Sequence, residues 1–90
     1  MPRIRLSDNV AHRSFGEETV LLNLDTGQYH GLRGSGGRML EVLMTTADLD
    51  LAAHQVAQEY GQPLDTVRRD METLCRGLAD RELVVIEDGE

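Results

Sequence analysis

Three histidines, one cysteine and a serine set among glycines are the residues in this chain best able to do chemistry. His12, His30, His54 and Cys75 would be the metal ligands. Their spacing contains no Cys-x-x-Cys and no His-Glu-x-x-His, the patterns that put two ligands on one face. Cys75 would be the nucleophile, but it falls on an apolar helical stripe, where a free cysteine usually serves as core. Ser35 lies in Gly34-Ser35-Gly36-Gly37, which looks like a phosphate-cradling loop. No Gly-Lys-Ser/Thr follows, and the glycines do not match a dinucleotide fingerprint. Acidic residues are scattered, so no carboxylate pair for acid–base work stands out. The chain reads as a non-enzyme with no metal and no cofactor, and the chemistry that remains is binding.

The elements that would position a binding site follow from the apolar pattern. VAHRS, 10–14, is a strand, with Ile4 and Leu6 in an extended lead-in and a turn at Phe15-Gly16-Glu17. TVLLNL, 19–24, is the clearest strand, and alternation puts Val20, Leu22 and Leu24 on one face. Asp25-Thr26-Gly27 fits a short hairpin loop with Gly27 at positive φ. QYHGL, 28–32, completes a three-stranded antiparallel meander. Ser35 is the expected N-cap of a first helix carrying Met39, Leu40, Val42 and Leu43, broken at Thr45-Thr46. Asp48 or Asp50 caps a second helix that closes at Gly61. A third begins at Gln62-Pro63. Its stripe of Leu64, Val67, Met71, Leu74, Cys75 and Leu78 runs in steps of 3, 4, 3, 1 and 3. LVVIE, 83–87, is a final extended piece, and the last residues, DGE, fray. The expected fold is α+β, a winged helix-turn-helix with a three-stranded meander followed by three helices, in one domain over residues 1–90.

Charge narrows the partner. The chain carries 9 basic and 16 acidic residues, a net charge of −7. A winged-helix DNA-binding regulator is the rival reading of this element order. Its would-be recognition helix sets Arg68, Arg69, Arg76 and Arg81 against Asp65, Asp70, Glu72 and Asp80, so attraction to phosphates would be weak. No segment nears the ~20 apolar residues that span a bilayer, and no signal segment opens the chain. The expectation is a cytoplasmic protein that uses neither nucleic acid nor membrane.

The third strand is short and pairs on one side only. Its free edge carries no lysine, proline or bulge to silence it. Tyr29 offers a large amphipathic ring, and Gly31 lets another backbone approach. Strand addition by a peptide would use this edge. The third helix covering it is the alternative, and pattern alone leaves both open. Tyr29 and His30 point to opposite faces; Tyr29 is the one expected on the apolar side. If the His30 N–H faces outward, proline there would weaken binding without unfolding the domain.

A resemblance bears on that choice. LLNLDTGQYHGLRGSGGRMLEVL and YGQPLDTVRRDMETLCRGLADRELV resemble the strand–turn–strand and third-helix patterns of PqqD-like RiPP recognition elements, over about Val10 to Val85. The Tyr-Pro-Glu and Asp-Gly stretches usual in the pyrroloquinoline-quinone proteins are replaced by TVLLNL and Thr45-Thr46. The chain is therefore more similar to the stand-alone leader-binding proteins of lasso-peptide biosynthesis. The resemblance implies peptide binding between third strand and third helix. Gln28, Tyr29, His30, Gly31 and Leu32 would pair with a precursor leader peptide. Val67, Asp70, Met71 and Leu74 would form the helical wall. Asp70 matches the family's helix-three aspartate and could bond a leader lysine, arginine or tyrosine, or else pair along its own helix. The implied partners are the leader, a transglutaminase-like leader peptidase and the cyclase. A PqqD-type chaperone for a radical enzyme is the family's other role. Glu82 stands where the family often has glycine, which leaves the cap of the third helix either strained or absent.

Overall fold

A computed structural model describes residues 2–16 and 18–88. Eight elements follow one another: β1 (Pro2–Leu6), β2 (Val10–Phe15), β3 (Glu18–Asn23), β4 (Tyr29–Arg33), α1 (Ser35–Thr46), α2 (Leu49–Tyr60), α3 (Leu64–Asp80) and β5 (Val84–Asp88). The α+β expectation holds: an antiparallel sheet of order β2-β3-β4 precedes three helices. A second, two-stranded sheet pairs β1 with β5, with Ile4 opposite Ile86. The lead-in and the final extended piece are thus partners. Of the turn expected at 15–17, Gly16 adopts φ 58 and Glu17 lies outside the described residues, as do Gly89 and Glu90 of the tail.

The loop after β3 is built by Asn23. Its Oδ1 accepts from Asp25 N (2.9 Å) and Thr26 N (3.2 Å), and Gly27 N donates to Asn23 O (2.8 Å). Gly27 takes φ 77, as the turn chemistry requires. The face of β3 departs from expectation. Leu21 is fully buried and Thr19 beside it is buried, whereas Val20 and Leu22 lie on the outer face and Leu24 is past the strand and exposed. Three consecutive apolar residues satisfy either phase of an alternation, so the pattern could not choose between them.

Helix starts and stops differ in detail. The N-cap of α1 is Gly34, with φ 60 and ψ −132, a conformation open essentially to glycine; Ser35 is the first helical residue and makes no cap. The N-cap of α2 is Asp48, whose Oδ1 accepts from Leu51 N at 3.1 Å. Gly61 closes α2 in the left-handed conformation, and Pro63 stands one residue ahead of α3. Glu82 resolves the question of the last cap. It takes φ 62, while Glu82 N donates to Ala79 O (2.9 Å) and Leu83 N to Leu78 O (2.9 Å). That is a complete Schellman motif with a side chain forced into the glycine position, and buried Leu78 and Leu83 supply its apolar contact.

The core gathers Leu21 from the sheet, Leu40 and Leu43 from α1, Val56 from α2, and Met71 and Leu78 from α3, with Ile4 and Val84 from the second sheet. Gly37 lets α1 lie close on the three-stranded sheet. A Cβ there would sit 3.1 Å from Leu32 O and 3.2 Å from Thr19 Oγ1.

Candidate peptide-binding channel

Among the described residues β4 pairs with β3 alone, so its other edge is unpaired. Which groups lie on that edge follows from the ladder. Asn23 N donates to Gln28 O at 2.8 Å, and that bonded pair is the rung next to Leu22–Tyr29. Bonded and non-bonded pairs alternate in an antiparallel ladder. The main chain of His30 and Leu32 therefore turns toward β3, and that of Tyr29, Gly31 and Arg33 turns outward. This rules out the use of His30 as an outward donor: proline at His30 would cut the sheet itself.

Side chains alternate as well. Tyr29 lies on the sheet's outer face, 75% exposed, beside Leu22, Val20 and Phe15. It does not face the helices, as the sequence reading expected. His30 and Leu32 do, and both are half-buried. Gly31 also faces outward, where the Glu18 carboxylate fills the space a Cβ would take, 2.6 Å away; Glu18 pairs with Arg33 at 3.8 Å. Gln28 precedes the strand and joins it through its carbonyl.

α3 forms the opposite wall. One of its edges is fixed against α2 by the Arg68–Asp50 ion pair. The opposite edge carries Asp70, Leu74, Gly77 and Arg81 in steps of 4, 3 and 4. Arg81 Nη1 donates to His30 Nδ1 at 2.6 Å, so this edge looks toward β4. β4 packs on α1, and α3 packs on α2 and β5. The gap between them is the candidate channel, bridged at one end by Arg81 and His30. There a cleft of about 320 Å³ is lined by Asn23, Gln28, Tyr29, His30, Arg81 and Leu83. Gly77 leaves helix backbone bare at the lip, with nothing within 4 Å of where a Cβ would be.

The nine residues expected here therefore divide. Leu32 and Leu74 are partly buried and pack against the core from β4 and α3. Asp70 is exposed at the lip of α3 and makes no ion pair among the described residues. Val67 and Met71, expected in the wall, are buried in the core at 3% and 0% exposure. The stripe of α3 marks the buried face of the helix, and the open lip is the edge next to that face. The sequence reading passed over Gly77 and gave Arg81 no part in the site. A glycine at position 14 of a 17-residue helix was the available signal, because it costs about 1 kcal/mol relative to alanine and needs a reason.

The electrostatics at the bridge are simple. Burial first, and the neighbouring Arg81 charge second, push the His30 imidazole below its usual pKa, so the ring is neutral and its Nδ1 accepts. Cys75 is buried, and burial together with Glu72 raises its thiol to about 11, the reverse of what a nucleophile needs.

Comparison with known proteins fits this geometry. The sequence family "Coenzyme PQQ synthesis protein D (PqqD)" matches residues 18–84. This chain belongs to the PqqD family. Two solved structures share its fold, each with a TM-score of 0.82. One is "TbiB1 in Complex with the TbiA(beta) Leader Peptide", 32% identical, covering 96% of this chain and 98% of that one. The other is "Lasso peptide synthetase B1 complexed with the leader peptide", 19% identical, covering 92% of this chain and 98% of that one. A search of curated proteins found no match. The chain is a PqqD-like RiPP recognition element by family and by fold.

Proposed function

We propose that residues 1–90 form a single, non-catalytic, cytoplasmic recognition domain. It captures the leader of a ribosomal precursor peptide and presents it to a leader peptidase in lasso-peptide biosynthesis, with the cyclase as a further partner. The observation that carries this reading is the unpaired edge of β4, joined to the end of α3 by the Arg81–His30 contact. Support comes from TbiB1, 32% identical over nearly the whole length and seen with a leader peptide. The leader adds a fourth strand to β4. Its backbone bonds the outward groups of Tyr29, Gly31 and Arg33. Gln28, His30 and Leu32 shape the strand, Leu74 and Asp70 meet leader side chains, and Val67 and Met71 stay in the core.

Reconstitution tests this. The purified chain, incubated with a precursor peptide, leaves it intact by mass spectrometry. Added to the peptidase, it accelerates leader removal. Cleavage by the chain alone would overturn the non-catalytic assignment, and no acceleration would overturn the presenting role.

A further inference from the structure

We propose that the Arg81–His30 end of the channel reads an acidic side chain of the bound peptide, which makes Arg81 a specificity-determining residue. The inference rests on the strand-addition reading above and adds to it a chemical preference at one position.

Arg81 is differently placed from the other arginines that make polar contacts. Arg5, Arg33, Arg38 and Arg68 each pair with a carboxylate. Arg81 bonds a neutral imidazole and makes no ion pair among the described residues. One of its five N–H groups is used there, and a guanidinium fork suits a carboxylate. The cleft beside it is polar where a carboxylate would sit. Asn23 has its Oδ1 engaged by Asp25 N, Thr26 N and Asn9 Nδ2, which orients the amide and leaves its own N–H groups without a partner among the described residues. Gln28 lines the same cleft. Donors therefore converge at the start of β4, where a strand added to that edge must pass.

The far end of the lip has the opposite sign. Asp70 lies eleven residues before Arg81 on the same edge, about 16 Å along the helix axis at 1.5 Å per residue. An extended peptide covers that distance in about five residues. The two ends together favour a peptide with an acidic residue at the Arg81 end and a basic or hydroxyl-bearing one about five positions away. Opposite charges at the two ends of a docking rail also penalise a peptide bound in the reversed direction or slipped in register.

The test is a display selection of random 16-residue peptides on the whole chain, wild type and Arg81→Gln in parallel. Amide shifts at Tyr29, Gly31 and Arg33 identify the peptides that bind along β4. Among those selected on wild type, an Asp or Glu should recur at one position. Changing it to the amide should lower wild-type affinity about 2- to 5-fold and barely affect binding to Arg81→Gln. Arg81→Lys should retain part of the preference. Arg81 is exposed, so an unchanged melting temperature confirms that Arg81→Gln is folded. β4-binding peptides with no acidic preference, or an equal penalty in both proteins, would overturn the proposal and leave strand addition standing. A selection yielding no peptide that shifts β4 would overturn both.

Discussion

The three-stranded sheet has two unpaired edges, β2 and β4, and they are not equivalent. By the same alternation that exposes Tyr29, Gly31 and Arg33 on β4, the outward main-chain groups of β2 belong to Val10, His12 and Ser14. One of these is bonded within the chain, and a second residue is anchored through its side chain. Val10 N donates to Ser7 O at 3.1 Å, and the Ser14 hydroxyl donates to Glu41 Oε2 at 2.7 Å, clamping that end to α1. The third, His12, is exposed. β4 instead meets the end of α3 through Arg81 and His30, with Leu32 and Leu74 partly buried against the core, and borders the proposed channel. An edge becomes a docking rail when a second wall lets a partner bury side chains while its backbone pairs. An edge in open water offers only the pairing, and charges on it discourage even that.

This contrast can be broken in several ways. The largest effect should come from the buried face of α3. Met71→Ala should cost about 2–4 kcal/mol of stability in a denaturant titration, because Met71 is fully buried. Leu74→Ala, at the half-buried lip, should cost less than about 1.5 kcal/mol yet weaken peptide binding about 5-fold. Reversed rankings would mean that buried face and lip have been confused. Next come the edges themselves. Tyr29→Pro removes an outward donor at the first residue of β4 and should weaken peptide binding about 5- to 10-fold, with Tyr29→Ala separating the ring's share. His12→Pro makes the same change on β2 and should alter affinity less than about 2-fold. Equal effects would erase the distinction between the edges.

Smaller effects tune each side. Glu82→Gly relieves a left-handed side chain at the Arg81 end of the channel and should stabilise the domain by about 0.5–1 kcal/mol, read as a raised melting temperature. The β2 clamp should be acid-sensitive. The Ser14 hydroxyl, with Arg38 behind it, holds the Glu41 carboxyl below its usual value of 4.5. A carboxylate held low stabilises the fold above its ordinary pKa and loses that contribution as pH falls below it. Hydrogen exchange at Arg13 and Phe15, whose amides face β3 on either side of the clamp, should therefore quicken below about pH 4.5 before exchange at His30 does, and Glu41→Gln should remove the pH step.

Much of this was legible in the sequence where a local rule acts alone. Gly27 and Gly61 stand where backbones need positive φ, Asp48 caps α2, and the stripe of α3 is its buried face. What failed to read depended on tertiary choices. Val20, Leu21 and Leu22 permit either face of β3, and only the placement of α1 over the sheet selects Leu21. The pairing of β1 with β5 joins residues 78 to 86 apart, beyond any local signal. Gly34 displaced Ser35 as a cap because its ψ of −132 excludes a side chain. The family resemblance pointed to β4 and α3. Which α3 residues are buried and which stay on the exposed edge was not legible, because a helical stripe does not reveal which of its two flanks faces the strand.

The most direct test of the account is amide hydrogen exchange with and without a bound peptide. The amides of Tyr29, Gly31 and Arg33 should become strongly protected on binding, while His12 on β2 should exchange as before. Protection at His12, or none on β4 under saturating peptide, would contradict strand addition at this edge.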